Sequence, residues 1–189
     1  NCRWYTGSGI YRHVWLITTD PVHIAPWGLQ VTTPQISAEA ATVEVATRVL
    51  NDGAGPVTCE LETEILDSAG AVLQTVSAKA GIAGKSEHLF VHRVHVPKPA
   101  LWSVETPILY NARSTARAGR GSDADNVNFG IRSIHFDADE GFLLNGQRVK
   151  LNGVCLHGDA GAVGTAVPER MWEYRFEKLK EMGCNAIRC

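Results

Sequence analysis

The sequence has no strong charge of either sign and no long apolar run. Its 18 Lys and Arg residues against 20 Asp and Glu leave a formal net charge of −2, so no basic field exists that would attract a nucleic acid. No apolar stretch approaches the roughly 20 residues that a membrane-spanning helix needs. The sequence therefore favours neither a nucleic-acid partner nor a place in a membrane.

Cysteine is too scarce and too irregularly spaced for a disulfide framework. The count of five is odd, and no CxxC pair occurs. Cys59, Cys155 and Cys184 lie in apolar strand patterns, where a free thiol packs as a small hydrophobe. The alternative is a metal site from Cys155, His157 and Asp159, but no further ligand is evident in the sequence. We expect neither a metal nor a cofactor, and the free thiols favour a reducing compartment.

The clearest pattern that is present runs from Val57 to Ile65. One face of this segment carries Val57, Cys59, Leu61, Thr63 and Ile65, and the other carries Thr58, Glu60, Glu62 and Glu64. This period of two predicts a strand with one buried face and one wet face. The glutamate row is therefore interpreted as a solvated face and not as an acidic binding surface.

The neighbouring sequence repeats this texture. Thr42 to Leu50 also alternates, Asp67 to Gly70 has the composition of a hairpin turn, and residues 119–125 read as a polar loop. About seven short strands separated by turn signals predict a mainly β fold, an immunoglobulin-like antiparallel β-sandwich. An earlier strand is predicted from Gly9 to Thr19, with a break before residue 29.

In the last forty residues the sequence pattern changes. After a hairpin with an Asn145-Gly146 turn, the sequence predicts a strand at Val149–His157, an amphipathic helix at Pro168–Met182 and a strand ending at Cys189. Such a unit forms two parallel strands joined by a right-handed crossover, with both carboxyl ends at one edge. Active sites of parallel sheets and barrels lie at that edge.

His157 and Arg188 stand at the two carboxyl ends and are the candidate site residues. Trp172, Phe176 and Leu179 on the helix have the spacing of one apolar stripe and predict core packing. Since one strand–helix–strand unit cannot cover both faces of a parallel sheet, the chain reads as a piece of a larger enzyme.

Four segments follow one another in a specific order: Ser8–Val14; Leu101–Ser103 with Pro107–Tyr110; Phe129–Arg132 with Phe142–Gly146; and Lys150–His157 with Met182–Arg188. In this order they resemble glycoside hydrolase family 2, the family of β-galactosidases, β-glucuronidases and β-mannosidases. The resemblance implies that residues 1–28 end an N-terminal jelly-roll domain of sugar-binding type. It further implies an immunoglobulin-like sandwich at 29–128, then a linker hairpin and the first βαβ unit of a catalytic (β/α)₈ barrel at 129–189.

The resemblance also implies a reaction, the retaining hydrolysis of a terminal β-glycosidic bond. Val154 to Asp159, with Gly161, is nearest the β-galactosidase subgroup, although Gly158 stands where that subgroup often has a second histidine. Both catalytic glutamates of the family come from later barrel strands, so no catalytic residue is assigned here and this segment alone is expected to be inactive.

Two residues carry over from the family by position. His157 matches a histidine that faces the sugar, and Arg188 matches an arginine beside the nucleophilic glutamate. The implied partners are a β-galactoside or related carbohydrate and the rest of the same polypeptide. A second copy is a further possible partner, because the second strand presents an unpaired edge.

Two other functions compete with a hydrolase. The chain could be a non-catalytic sandwich module that binds carbohydrate or positions neighbouring domains, or a free-standing adhesion domain. A binding module has no reason to carry a barrel-type strand–helix–strand unit, so the tail favours the hydrolase. Asn1-Cys2-Arg3-Trp4 is not a signal peptide, but in a fragment that says nothing of export, and both a cytoplasmic and a periplasmic location stay open.

Overall fold

The structure of the chain, a computed structural model, describes residues 9–189 apart from the side chain of Ala162. Residues 1–8, which hold Cys2 and the first residue of the Ser8–Val14 segment, lie outside the described part. The chain divides into two compact units. The sandwich unit comprises Thr18–His135 with Leu143–Gln147, and the second unit comprises Phe136–Phe142 and Arg148–Cys189 with the described residues up to Ile17.

Seven strands form the sandwich unit. They are β1 (Val22–Ile36), β2 (Ala40–Asn51), β3 (Val57–Leu66), β4 (Val72–Ile82), β5 (Ser86–Pro97), β6 (Tyr110–Ala118) and β7 (Gly121–Phe129). One sheet has the order β1-β2-β5 and the other β4-β3-β6-β7, with antiparallel pairing throughout. The predicted immunoglobulin-like antiparallel sandwich is confirmed.

The outer face of β3 is a row of ion pairs. Glu60 pairs with Lys79 of β4, while Glu62 and Glu64 pair with Arg117 and Arg113 of β6. All three glutamates retain solvent contact, with side-chain exposures of 43%, 35% and 19%. The structure therefore confirms a wet face, and neighbouring cations balance its negative charge.

The inner faces of the two sheets enclose a polar layer between two apolar clusters. Thr47 of β2, Thr63 of β3, His92 of β5 and Ser114 of β6 are each flanked along their strands by buried apolar residues two positions away. Ser114 Oγ lies 3.1 Å from Thr47 Oγ1 and 2.9 Å from Thr63 Oγ1, and Thr63 Oγ1 lies 2.9 Å from His92 Nδ1. These four side chains, termed the polar layer below, form one hydrogen-bonded chain across the core.

His92 makes this layer sensitive to acid. Burial lowers its pKa below the ordinary value of 6.5, because the core disfavours the imidazolium. Its Nε2 is buried and has no hydrogen-bond partner among the described residues, so a proton there would have nothing to donate to. His92 therefore belongs in the core as a neutral group.

We expect the free energy of unfolding to fall as the pH drops below 6.5, since the unfolded state then binds a proton that the folded state resists. Urea denaturation at pH 7.5, 6.0 and 5.0 would measure the loss. In a His92→Gln variant the loss between these pH values should be smaller, because the titrating group is gone. An identical pH response in both proteins would contradict the prediction.

Two segments of the sandwich unit differ from the sequence prediction. The break predicted near residue 29 is a bulge within the single strand β1, so the predicted domain boundary at 28/29 falls inside a strand. The predicted polar loop at 119–125 is a tight turn followed by β7 from Gly121. Strand β7 lies at the sheet edge and pairs through its backbone, and Asp123 Oδ2 accepts a hydrogen bond from Ile24 N at 2.8 Å.

The strand predicted from Gly9 to Thr19 was wrong, because these residues adopt no regular secondary structure. Their large side chains remain open to solvent, with Ile10 80% and Leu16 93% exposed. An apolar run forms a stable strand only where a partner strand and a packing surface are available. Within the described residues this segment has neither.

A small hairpin sheet follows the sandwich strands. It has the order β10-β9-β8, formed by β8 (Ile134–Asp137), β9 (Gly141–Leu144) and β10 (Gln147–Arg148). Asn145 and Gly146 have φ values of 53° and 74°, which confirms the predicted Asn-Gly turn. The Asn145 side chain accepts a hydrogen bond from Ser133 N and donates one to Trp102 O, each at 3.0 Å.

The chain ends in the predicted strand–helix–strand order: β11 (Gly153–Cys155), α1 (Glu169–Glu181) and β12 (Ala186–Arg188). Strand β11 is shorter than the predicted Val149–His157. The helix begins after Pro168 and ends before Gly183, whose φ of 90° suits glycine. Within the described residues no helix has the length and apolar character to cross a bilayer.

The aromatic stripe of α1 was predicted to pack in a core. The rings of Trp172 and Phe176 do stack, with centroids 6.2 Å apart. However, none of the thirteen residues of α1 is fully buried, and Phe176 is 40% exposed. A sheet of two three-residue strands is too narrow to cover a helix face.

Candidate functional site

The candidate site is the carboxyl edge of the parallel pair β11 and β12. Cys155 lies opposite Arg188 in the register, and Leu156 N donates a hydrogen bond to Arg188 O at 2.9 Å. His157 follows two residues after β11, and Arg188 is the last residue of β12. The structure thus brings both predicted site residues to one edge, and both side chains are solvent-exposed.

The opposite end of the strand pair is held by Asn185, a residue that no pattern in the sequence indicated. Its Oδ1 accepts a hydrogen bond from Asn152 N at 2.8 Å, and its Nδ2 donates to Lys150 O at 2.9 Å. Asn185 N also donates to Asn152 O at 2.9 Å. These three bonds fix the alignment of β12 against β11, and the alignment decides which residues reach the carboxyl edge.

Gly153 allows the two strands to approach closely. A Cβ at this position would lie 2.6 Å from Ala186 O and 3.2 Å from Ala186 Cβ. Any other residue would push β11 and β12 apart, so glycine is needed here for the space between strands.

Two arginines hold the segment that joins β11 to α1. Arg175 of α1 donates to Asp159 O at 2.7 Å and places its guanidinium 4.8 Å from the centre of the Trp172 ring. Arg12 donates to Val167 O at 3.3 Å, and Val167 itself is only 2% exposed. The segment beside His157 is therefore anchored from the helix and from the N-terminal residues. Since both bonds end on backbone carbonyls, no side-chain pattern could reveal them.

Three of the four glutamates of α1 are engaged in surface ion pairs. Arg170 lies 3.0 Å from both Glu173 and Glu177, and Lys178 lies 2.7 Å from Glu181. Hydrogen bonds that Arg170 donates to Glu177, and next to Glu173, raise the pKa of Arg170. These carboxylates lie on the helix surface, where pairs with nearby cations account for them.

Four of the cysteines, Cys59, Cys155, Cys184 and Cys189, lie within the described part of the chain as free thiols. Across it, no group of three or more His, Cys, Asp or Glu residues is arranged to hold a metal ion. Cys59 is buried as predicted, and burial raises the pKa of its thiol. Cys184 is half-buried, but Cys155 is exposed, contrary to prediction. Within the described residues, β11 belongs to a sheet of only two strands, which offers little cover.

Comparison with known proteins adds to this geometry. Residues 22–132 match the model of the glycosyl hydrolases family 2. The chain is 40% identical over its whole length to "Beta-galactosidase BoGH2A" of Bacteroides ovatus. Its fold superposes with a TM-score of 0.92 on a glycosyl hydrolase family 2 member from Bacteroides cellulosilyticus, at 38% identity and over 100% of this chain.

A second solved structure is named as an enzyme of different specificity, a β-glucuronidase. It is β-glucuronidase 2 of Bacteroides uniformis, covalently bound to cyclophellitol-6-carboxylate aziridine, with a TM-score of 0.89 and 37% identity over 96% of this chain. In every case the match covers a minority of the other protein. The chain spans 22% of the B. ovatus protein, 26% of the B. cellulosilyticus chain and 23% of the B. uniformis chain.

Proposed function

Because this chain belongs to the glycosyl hydrolases of family 2, we propose that it is part of a retaining exo-β-glycosidase that removes terminal β-galactosyl residues. The observation that carries the proposal is the 40% identity to a β-galactosidase along the entire chain, including the strand–helix–strand unit. A sandwich that served only for binding or adhesion would not need that unit. In this proposal β11 and β12 are the first two strands of the catalytic barrel.

The proposed reaction sets requirements for the rest of the enzyme. Retention takes two carboxyl groups about 5–5.5 Å apart, one as nucleophile and the other as general acid and base. We place both carboxylates in barrel strands that follow β12, since this chain covers only 22–26% of the relatives described above. In this assignment, the chain contributes the carboxyl edge of β11 and β12, and the two catalytic carboxylates lie beside that edge.

We assign Arg188 to the side of the nucleophile. A guanidinium close to a carboxylate favours its ionised form, and a nucleophile must be ionised to attack the anomeric carbon. The exposed Arg188 side chain at the end of β12 is free of ion pairs within the described residues. It is therefore available to a carboxylate from a following strand.

We assign His157 to the sugar. An exposed imidazole just past β11 can donate a hydrogen bond to one ring hydroxyl or accept one from it. Anchoring of the β11–α1 segment by Arg12 and Arg175 would hold this histidine in place. In the proposed mechanism His157 positions the substrate and Arg188 positions the nucleophile, and neither residue transfers a proton.

The second candidate is a β-glucuronidase, favoured by the 37% identity to the B. uniformis enzyme. The complete gene product should be assayed with the p-nitrophenyl β-galactoside and the p-nitrophenyl β-glucuronide. We expect kcat/KM to favour the galactoside, with retention of the anomeric configuration by NMR. A preference for the glucuronide would replace the proposed specificity, and an inverted product would overturn the mechanism.

The 189-residue chain alone should show no turnover of either substrate, because the proposal places both catalytic carboxylates in strands that follow β12. Purified chain would be tested beside the complete enzyme at equal molar concentration. Turnover that disappears when a carboxylate of this chain is replaced would contradict the placement of the catalytic residues.

A further inference from the structure

Trp27 is the most exposed large hydrophobic side chain of the sandwich unit, and its backbone conformation is unusual. Its side chain is 93% exposed, and its φ is 57°, in the left-handed region that a residue with a Cβ seldom adopts. It lies in β1 between Ile24, opposite Val49 of β2, and Leu29, opposite Thr47. Four residues of β1 thus face the single residue Arg48, and this bulge projects the indole from the sheet.

The bulge is fixed by buried neighbours. Ala25 is 3% exposed and Leu29 8%, so both ends of the bulge are anchored in the core. At Gly28, a Cβ would lie 2.6 Å from Ala25 O and 3.0 Å from Arg48 O, so only glycine fits against the β2 backbone. Strain of this kind persists where the surrounding structure enforces it, and it is concentrated at binding and catalytic sites.

Beside the indole lies a pocket of about 230 Å³. It is lined by Trp27, Gly28, Gln30, Ala46, Arg48 and Leu89. Arg48 reaches Glu87 only at 3.9 Å and Gln30 is exposed, so a guanidinium and an amide remain available to a ligand. The lining therefore combines one flat aromatic surface, an aliphatic side chain and two groups that form hydrogen bonds.

We propose that this pocket binds a pyranose ring of an oligosaccharide. One face of a β-linked hexose carries axial C–H groups and packs flat against an indole, while its equatorial hydroxyls point sideways. Those hydroxyls would meet the Gln30 amide and the Arg48 guanidinium, and the ring edge would contact Leu89. Small-ligand sites combine an apolar surface with a few polar groups in this way.

The surrounding charges favour a sugar over a protein partner. Two ion pairs lie on the same face of the sheet as the pocket, Arg48 with Glu87 and Glu44 with Arg93, the latter at 2.8 Å. The centre of a protein interface is depleted of charged residues, because each must lose its hydration on association. A pyranose leaves these charges in water and covers only the indole and its immediate neighbours.

The inference can be tested on the 189-residue chain, since binding requires no catalytic carboxylate. Its failure would thus leave the proposed hydrolase untouched. The probes are methyl β-D-galactopyranoside and methyl β-D-glucuronide, titrated into ¹⁵N-labelled chain while the indole N–H signals are recorded. We expect the Trp27 signal to shift saturably, and both probes to bind, because they share the pyranose face. Arg48→Gln should weaken the glucuronide more than the galactoside, since it removes the charge opposite a carboxylate.

Variants of the aromatic position make the test specific. Trp27→Ala should weaken binding about tenfold or more, as truncation of a central aromatic contact does, whereas Trp27→Phe should retain most of the affinity. Trp15→Ala is the matched control, because it removes an indole that is also highly exposed, at 77%.

Three results would overturn the proposal: no saturable shift of the Trp27 signal with either probe, equal binding by Trp27→Ala and wild type, or a self-associating chain that Trp27→Ala renders monomeric. The last result would make this face an interface between copies of the chain.

Discussion

Replacing Arg188 with alanine in the complete enzyme is expected to lower kcat/KM by about 10²–10³-fold, the loss typical of removing one electrostatic contact from a transition state. The reason is the proposed neighbour: without the guanidinium, the nucleophilic carboxylate is held less firmly in its ionised form. Kinetics with a chromogenic β-galactoside would measure the change. Arg188→Lys should recover part of the activity, because it restores the charge without the planar fork.

The pH profile separates this role from a merely structural one. Loss of the cation raises the pKa of a neighbouring carboxylate, so the acid limb of kcat/KM should move to higher pH in Arg188→Ala. Arg170→Ala is the matched control, since it removes an arginine whose partners are Glu173 and Glu177 on the helix surface. A loss of activity without any movement of the acid limb would count against the assignment.

A second large effect is expected in the polar layer. Thr63→Val conserves the shape of the side chain but removes the hydroxyl at the centre of the hydrogen-bonded chain. It leaves His92 Nδ1 without its partner and Ser114 Oγ with only Thr47. Because all of these groups are buried, we expect a loss of about 3 kcal/mol in the free energy of unfolding, from the unpaired His92 Nδ1 together with the lost hydrogen bond to Ser114.

Urea denaturation at pH 7.5 would measure this loss, with Thr58→Val as the control. Thr58 lies on the same strand but on the outer, exposed face, where the same change should alter stability by less than about 0.5 kcal/mol. Equal effects at the two positions would show that the polar layer does not stabilise the sandwich.

The sequence predicts the strands that have one buried and one wet face, because burial imposes a period of two on them. Strand β3 follows this rule along its length, and the residue types of Asn145 and Gly146 predict the turn that they form. Strand β7 was missed since an edge strand pairs through its backbone and tolerates a polar, loop-like sequence. Pro26 and Gly28 were interpreted as the end of a strand for a related reason: the residue types that end a strand also form a bulge within one.

At the candidate site, the order of elements was predictable but the supporting contacts were not. His157 and Arg188 reach one edge because parallel strands joined by a crossover must share it. Asn185, Arg12 and Arg175 act on backbone carbonyls that become neighbours only after the chain has folded. The polar layer has the same origin, since its four members come from four strands and no single stretch of sequence contains them.

The glutamate row on β3 also has a consequence for folding errors. A shift of one residue between β3 and either neighbour would turn Glu60, Glu62 and Glu64 toward the core, away from Lys79, Arg113 and Arg117. Each exposed pair adds little to stability, but three unpaired carboxylates in an apolar core would be strongly unfavourable. The row therefore specifies the strand register. It stabilises the correct alignment only slightly, but it strongly disfavours the nearest incorrect one.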